Sequence, residues 1–171
     1  MARHLHPECG LVRTSYIRVG ESPGVTSPSK SGAWVVDSEG FRRLLAIEIQ
    51  KAQRLRYCVS LMCIAADRRS PEVEQPTAQS LVERITPFLR STDIITCWTP
   101  PSLALMLVDA DVVSLPSIIS RVTGKLEAFV WSAGGSCYPK TATHSEELLH
   151  QAEGLFLQAG RDGGSRLYLP N

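Results

Sequence analysis

Residues Tyr57 to Ala66 read YCVSLMCIAA, an almost unbroken apolar run of strand length. A half-exposed strand would alternate apolar and polar residues. An unbroken run fits a strand buried within a sheet, with other elements covering it. The rest of the chain must therefore supply that cover, and its periodicity shows how.

From Ser38 onward Phe41, Leu44, Leu45, Ala52 and Leu55 fall near helical spacing, with charged residues between them. Ser38 is the expected N-cap. After the apolar run comes a polar link, Asp67 to Pro76, and a second helix is expected over Thr77 to Arg90. Asp93 to Trp98 (DIITCW) and Ser102 to Val108 (SLALMLV) read as two strands. Thr99, Pro100 and Pro101 between them predict a short hairpin. A helix is expected from Leu115 to Glu127, with Pro116 tolerated in its first turn. Ala128 to Tyr138 reads as a further strand. Thr143 and Glu146 form a candidate capping box for a last helix. Gly160, Gly163 and Gly164 end that helix before a short strand, Arg166 to Leu169. A hairpin set among helices predicts an α/β (α+β) fold, a mixed sheet of about five strands flanked by helices.

Residues 1–33 behave differently. Ser22 to Gly32 is rich in Ser, Pro and Gly, so a flexible N-terminal arm is expected before a domain over 34–171. Thr14 to Val19 could add no more than an edge strand. The first ten residues lack the apolar core of a secretory signal. No stretch approaches the roughly 18 apolar residues of a membrane span. A cytoplasmic protein is therefore expected.

With 18 basic against 17 acidic residues, the chain lacks the charge excess of a general nucleic-acid binder. Its five cysteines, Cys9, Cys58, Cys63, Cys97 and Cys137, are odd in number and form no CxxC pair. Four of them sit in apolar, strand-like runs, and buried free thiols are the simplest expectation.

Five segments, in order, resemble the GGDEF domain of diguanylate cyclases. Phe41, Leu45, Glu48, Lys51-Ala52 and Arg54 resemble its first helix, F-x3-L-x2-E-x2-R-A-x-R. VSLMCIAAD (Val59 to Asp67) resembles its first strand, which ends D-I-D. LRSTDIITCW (Leu89 to Trp98), WSAGGSCYP (Trp131 to Pro139) and the stretch SEELLHQAEGLFLQAGRDGGSRLYL resemble the later segments. Each is weak alone, but five in the right order are far more specific. The resemblance spans roughly residues 38–169 and implies a nucleotide-cyclase-like palm.

Cyclase chemistry needs carboxylates to hold Mg²⁺ and a hairpin backbone that can approach phosphate. The resemblance puts the signature loop on Thr99, Pro100, Pro101, Ser102 and Leu103. Both glycines and both carboxylates are missing, and the two prolines remove two N–H donors. The first-strand metal Asp falls on Ala65, with Asp67 nearby. The guanine-binding segment is cut to RRSPEVEQP, and AWVVDSEG stands where the family has D-x-L-T-G-L-x-N-R-R. The implied domain has no catalytic residues, no metal and no cofactor, and is not an enzyme.

GGDEF proteins often carry a second, inhibitory site for their product, cyclic di-GMP, built on R-x-x-D five residues before the signature loop. Arg90-Ser91-Thr92-Asp93 stands there, five residues before Thr99, and Arg121 matches the arginine of the following helix. A planar guanidinium can bridge guanine O6 and N7, a carboxylate suits the N1–H and N2–H₂ edge, and phosphate favours arginine. The resemblance thus implies a cyclic di-GMP receptor through Arg90, Asp93 and Arg121, signalling to a protein partner. The family's product site can bridge two domains, so a ligand-linked homodimer is compatible with it. Plainer roles stand beside this: Arg90 meeting a helix dipole, Asp93 opening a strand, Arg121 solvated on a helix. The competing function is a nucleotide-independent interaction scaffold in a bacterial signalling or assembly complex.

Other groups carry less. His4, His6 and Cys9 have metal-ligand chemistry but lie in the arm, where a mobile tail is the plainer reading. His144 and His150 flank the last helix. Gly134-Gly135 sits in a strand pattern, where glycine marks a bulge or close packing. Trp34, Trp98 and Trp131 read as core or rim aromatics.

Overall fold

The computed structural model describes residues 32–170. The expected arm over 1–33 lies almost wholly outside that range, as do Thr14 to Val19 and the His4, His6 and Cys9 group.

The described residues form six strands and four α-helices: β1 (Trp34–Val36), α1 (Ser38–Leu55), β2 (Val59–Arg68), α2 (Ala78–Ile85), β3 (Ile94–Cys97), β4 (Leu103–Val108), α3 (Leu115–Thr123), β5 (Phe129–Tyr138), α4 (Ser145–Arg161) and β6 (Arg166–Tyr168). They make one mixed sheet in the order β1-β3-β4-β2-β5-β6. The apolar run supplies most of β2, which is central and antiparallel to both neighbours, pairing Leu61 with Met106 and with Ser136. The short outer strands β1 and β6 pair in parallel with β3 and β5.

Successive β2 side chains alternate between two cores. Met62, Ile64 and Ala66 pack with Leu81, Val82 and Ile85 of α2 and with Leu115, Ile119 and Val122 of α3. Val59, Leu61 and Cys63 face Phe41, Leu45 and Ile49 of α1 and Leu148, Leu149 and Ala152 of α4. Helices thus cover both sheet faces, and this explains a central strand that is apolar throughout.

Several expectations are corrected. The sheet has six strands rather than about five, because β1 is only three residues long and shows no readable period. Its register with β3 begins at Trp34 opposite Ile94, and Asp93 O accepts the Trp34 N–H at 2.9 Å. The N-cap of α1 is Asp37, which accepts from Gly40 N at 2.6 Å, so Ser38 is the first helical residue. Helix α2 stops at Ile85 rather than Arg90, since Pro87 has no N–H to continue it and a 3₁₀ turn, Thr86–Phe88, follows. Helix α3 ends at Thr123, before Gly124. At α4 the N-cap is His144, and the reach-back carboxylate is Glu147, accepting the Thr143 N–H at 2.9 Å. Glu146 instead pairs with Arg42 of α1 at 3.4 Å.

Helix α2 does carry a capping box: Ser80 N donates to the Thr77 hydroxyl and Thr77 N to the Ser80 hydroxyl, both at 3.1 Å. Thr77→Ala is expected to cost about 1 kcal/mol, read by urea denaturation. An unchanged midpoint would mean that packing alone holds this helix start.

Candidate functional site

The β3–β4 hairpin carries the expected signature positions. Its turn is closed by Ser102 N donating to Thr99 O at 2.8 Å, and the Pro100–Pro101 peptide is cis. Ser102 Oγ also donates to Thr99 O, at 2.5 Å, so the hydroxyl that replaces a carboxylate is turned back into the turn. Ala65 pairs opposite Ser132 in the sheet and offers no ligand atom. Asp67 is exposed and accepts from Gln75 Nε2 at 2.8 Å. Beside the hairpin, Trp98 fills the approach. Arg42 stacks 4.5 Å above its ring, and its indole N–H reaches Glu153 at 3.4 Å. The space left there, lined by Ser38, Arg42, Trp98, Thr99 and Glu153, is about 230 Å³. Among the described residues no group of metal-ligating side chains converges at this hairpin. The donor set does not fit magnesium, which takes carboxylates, waters and phosphate oxygens in an octahedral array.

A larger cleft, about 420 Å³, opens elsewhere on the sheet rim. Arg90, Asp93 and Arg121 all line it, with Val108, Asp109, Ser114 and Ser117 among its other walls. The fold explains the meeting. Arg90 and Asp93 bound the tight turn that enters β3, in which Asp93 N donates to Arg90 O at 3.0 Å. Arg121 lies in the last turn of α3, whose Leu115, Ile119 and Val122 are buried. Both arginines are exposed, and Asp93 is only 4% exposed.

Asp93 is an anchor as well as a wall. Its Oδ2 accepts the Arg90 N–H at 2.8 Å, and its Oδ1 accepts the Val108 N–H at 3.2 Å. The carboxylate thereby ties the turn before β3 to the end of β4. Burial pushes the carboxyl above its ordinary range, while the two N–H groups and the charges of Arg90 and Arg121 pull it back. A carboxylate has about four lone-pair sites, so two remain for a ligand. The plainer alternative for Asp93, a residue merely opening a strand, does not hold: it is buried and satisfies two backbone donors.

Asp109 is the site residue that sequence reasoning missed. It is exposed, lines the cleft and adopts φ +54°. Asp tolerates this left-handed conformation better than most residues. The available signal was an acidic residue ending the apolar run of β4.

A mixed sheet with a central antiparallel hairpin, covered by two helices on each face, defines a nucleotide-cyclase-like palm. No family model matches the chain, and no curated protein matches it. Solved structures do match in fold. The GGDEF domain of YfiN from Pseudomonas aeruginosa superposes with a TM-score of 0.71 at 18% identity, over 79% of this chain and 96% of that one. A microbial GGDEF domain described in its interaction with cyclic di-GMP gives 0.66 at 19% identity, over 79% and 91%. The diguanylate cyclase SiaD of P. aeruginosa, in complex with its activator SiaC, gives 0.66 at 13% identity, over 78% and 58%. The chain has the GGDEF, or diguanylate cyclase, fold.

Proposed function

We propose that this domain is a receptor for cyclic di-GMP that has no cyclase activity. The observation that carries the reading is the convergence of Arg90, Asp93 and Arg121 on one cleft, whose volume lies in the range of ordinary small-molecule sites. One guanidinium bridges guanine O6 and N7 while the other meets phosphate oxygen. The free lone pairs of Asp93, or the Asp109 carboxylate, accept from the N1–H and N2–H₂ edge. Asp93 also fixes the backbone of Arg90, which sets where that side chain leaves the turn. Cyclic di-GMP carries two guanines, and a second copy of the chain can hold the other. Ligand-linked dimers follow from that symmetry.

The hairpin supports the negative half of the proposal. Two prolines replace N–H donors, the Ser102 hydroxyl is turned inward, and no carboxylate pair stands ready. Purified protein is therefore expected to form no cyclic di-GMP from GTP and Mg²⁺.

Calorimetric titration tests the binding half. Wild type should bind cyclic di-GMP, and Arg90→Ala and Arg121→Ala should each weaken binding by about tenfold or more, as loss of charge-assisted hydrogen bonds implies. Undiminished binding in both variants would refute the site. Wholly silent titrations would favour the second reading, a protein-interaction scaffold.

A further inference from the structure

A second cluster of ligand atoms adjoins the cleft, with Asp111 between the cleft-lining Ala110 and Val113, but shares none of its lining side chains. Cys58 directly precedes β2. Cys137 lies on neighbouring β5, opposite Ser60. Asp111 reaches in from the turn after β4. The two sulfurs and one Asp111 carboxylate oxygen all lie within 4.8 Å of one another. Cys137 is fully buried, and Cys58 and Asp111 are half-buried. Both thiols are free.

The Asp111 carboxylate is asymmetric. Lys140 Nζ holds Oδ2 at 2.6 Å, whereas Oδ1 is shielded from solvent and makes no hydrogen bond of good geometry, its nearby backbone donors being the Val112 and Val113 N–H groups. A shielded oxygen without a well-placed donor is uncommon in native proteins and calls for an explanation. A bound cation supplies one.

We propose that Cys58 Sγ, Cys137 Sγ and Asp111 Oδ1 form a site for a thiophilic divalent cation of the zinc class, with a solvent molecule as fourth ligand. Tetrahedral zinc, with Zn–S near 2.3 Å, holds its ligand atoms about 3.5–3.8 Å apart. Closing the present cluster to that size takes side-chain shifts on the order of 1 Å. Each thiol releases one proton to solvent as it becomes a thiolate ligand. The two thiolates and the carboxylate then carry three negative charges, which the divalent cation and the Lys140 ammonium together neutralise. Lys140 serves as the outer partner that orients the Asp111 carboxylate. Sulfur ligands select a zinc-class ion over magnesium. The cluster also lies at the opposite end of β2 from Ala65 and Asp67, and it uses none of Arg90, Asp93 and Arg121.

The test uses the full chain, stripped of metal and reduced, titrated with Co²⁺ and with Zn²⁺. One equivalent of Co²⁺ should produce thiolate-to-metal charge-transfer absorption, and Zn²⁺ should displace it. Zn²⁺ should also protect Cys58 from alkylation, read by peptide mass spectrometry. Cys58→Ser should lose the absorption, and Asp111→Asn should weaken binding by about tenfold or more. Both positions are half-exposed, so both variants should keep the fold, checked by circular dichroism. A third variant, His4→Ala, His6→Ala and Cys9→Ser together, should bind as wild type does. No absorption in wild type, equal binding in Cys58→Ser and Asp111→Asn, or loss of binding in the arm variant would each overturn the proposal. So would a two-hydrogen mass loss joining Cys58 to Cys137 in place of metal uptake.

Discussion

Gly134→Ala is expected to destabilise the domain by about 3 kcal/mol or more, at the upper end of overpacking costs. Gly134 lies on β5, where α4 crosses the sheet. A Cβ there would run into Phe156 N and Ala152 O and come within 2.7 Å of Leu155 C, all backbone atoms of α4. Backbone cannot rotate aside as a side chain can, so the helix must lift. That movement would open the core around Leu148, Leu149 and Ala152, all buried against the sheet. Gly154 of the same helix provides the control. A Cβ there meets nothing within 4 Å, so Gly154→Ala should gain up to about 1 kcal/mol from helix propensity. Urea denaturation of both variants gives the contrast. Equal stabilities would mean that α4 packs less closely on β5 than described.

The second large effect is at Asp93. Asp93→Ala removes the acceptor for two backbone N–H groups, those of Arg90 and Val108. Both bonds are part-buried; each donor left unsatisfied costs about 1–3 kcal/mol, so a loss of about 2–6 kcal/mol is expected. Cyclic di-GMP binding should fall with it, because Arg90 loses its anchor. The pH dependence has a definite sign. Burial holds the native carboxyl above its ordinary 3.8, so the native state keeps this proton longer than the unfolded chain does. The group's contribution to stability is then greatest below pH 3.8 and shrinks as pH rises through the native value. Stability curves for wild type and Asp93→Ala should therefore approach each other on going from about pH 3 to neutrality. Parallel curves would show that this carboxyl titrates alike in both states.

Long elements were legible because their periods were clear. The unbroken run of β2 announced a strand covered on both faces, and the i, i+4 apolar spacing of α1 and α4 announced the helices that cover it. Element ends were less legible. Pro87 stops α2 soon after Leu81 and Val82 have set its face, but a 3₁₀ turn follows and Leu89 is still buried. Strand β1 escaped notice because three residues cannot display a period; its existence depends on the edge of β3, which is distant in sequence.

The candidate cleft was legible for a different reason. Arg90, Asp93 and Arg121 were picked out by the resemblance alone, as the R-x-x-D motif and the matching arginine of the following helix. Asp109 was not legible because its place in the cleft depends on a left-handed turn. Nor was the Cys58, Asp111 and Cys137 cluster, since three separate segments meet there. The expectation that all the strand-like cysteines are buried held for Cys63 and Cys137, whereas Cys58 and Cys97 are half-exposed. The close packing expected of Gly134 is what α4 requires.

The most direct experiment is an NMR titration of ¹⁵N-labelled protein with cyclic di-GMP, following backbone and arginine side-chain signals together. Shifts should concentrate at Arg90, Asp109, Ser117 and Arg121 and leave Thr99, Ser102 and Leu103 in place. Shifts centred on the hairpin, or a spectrum unmoved at saturating ligand, would contradict a receptor cleft between the β3 turn and α3.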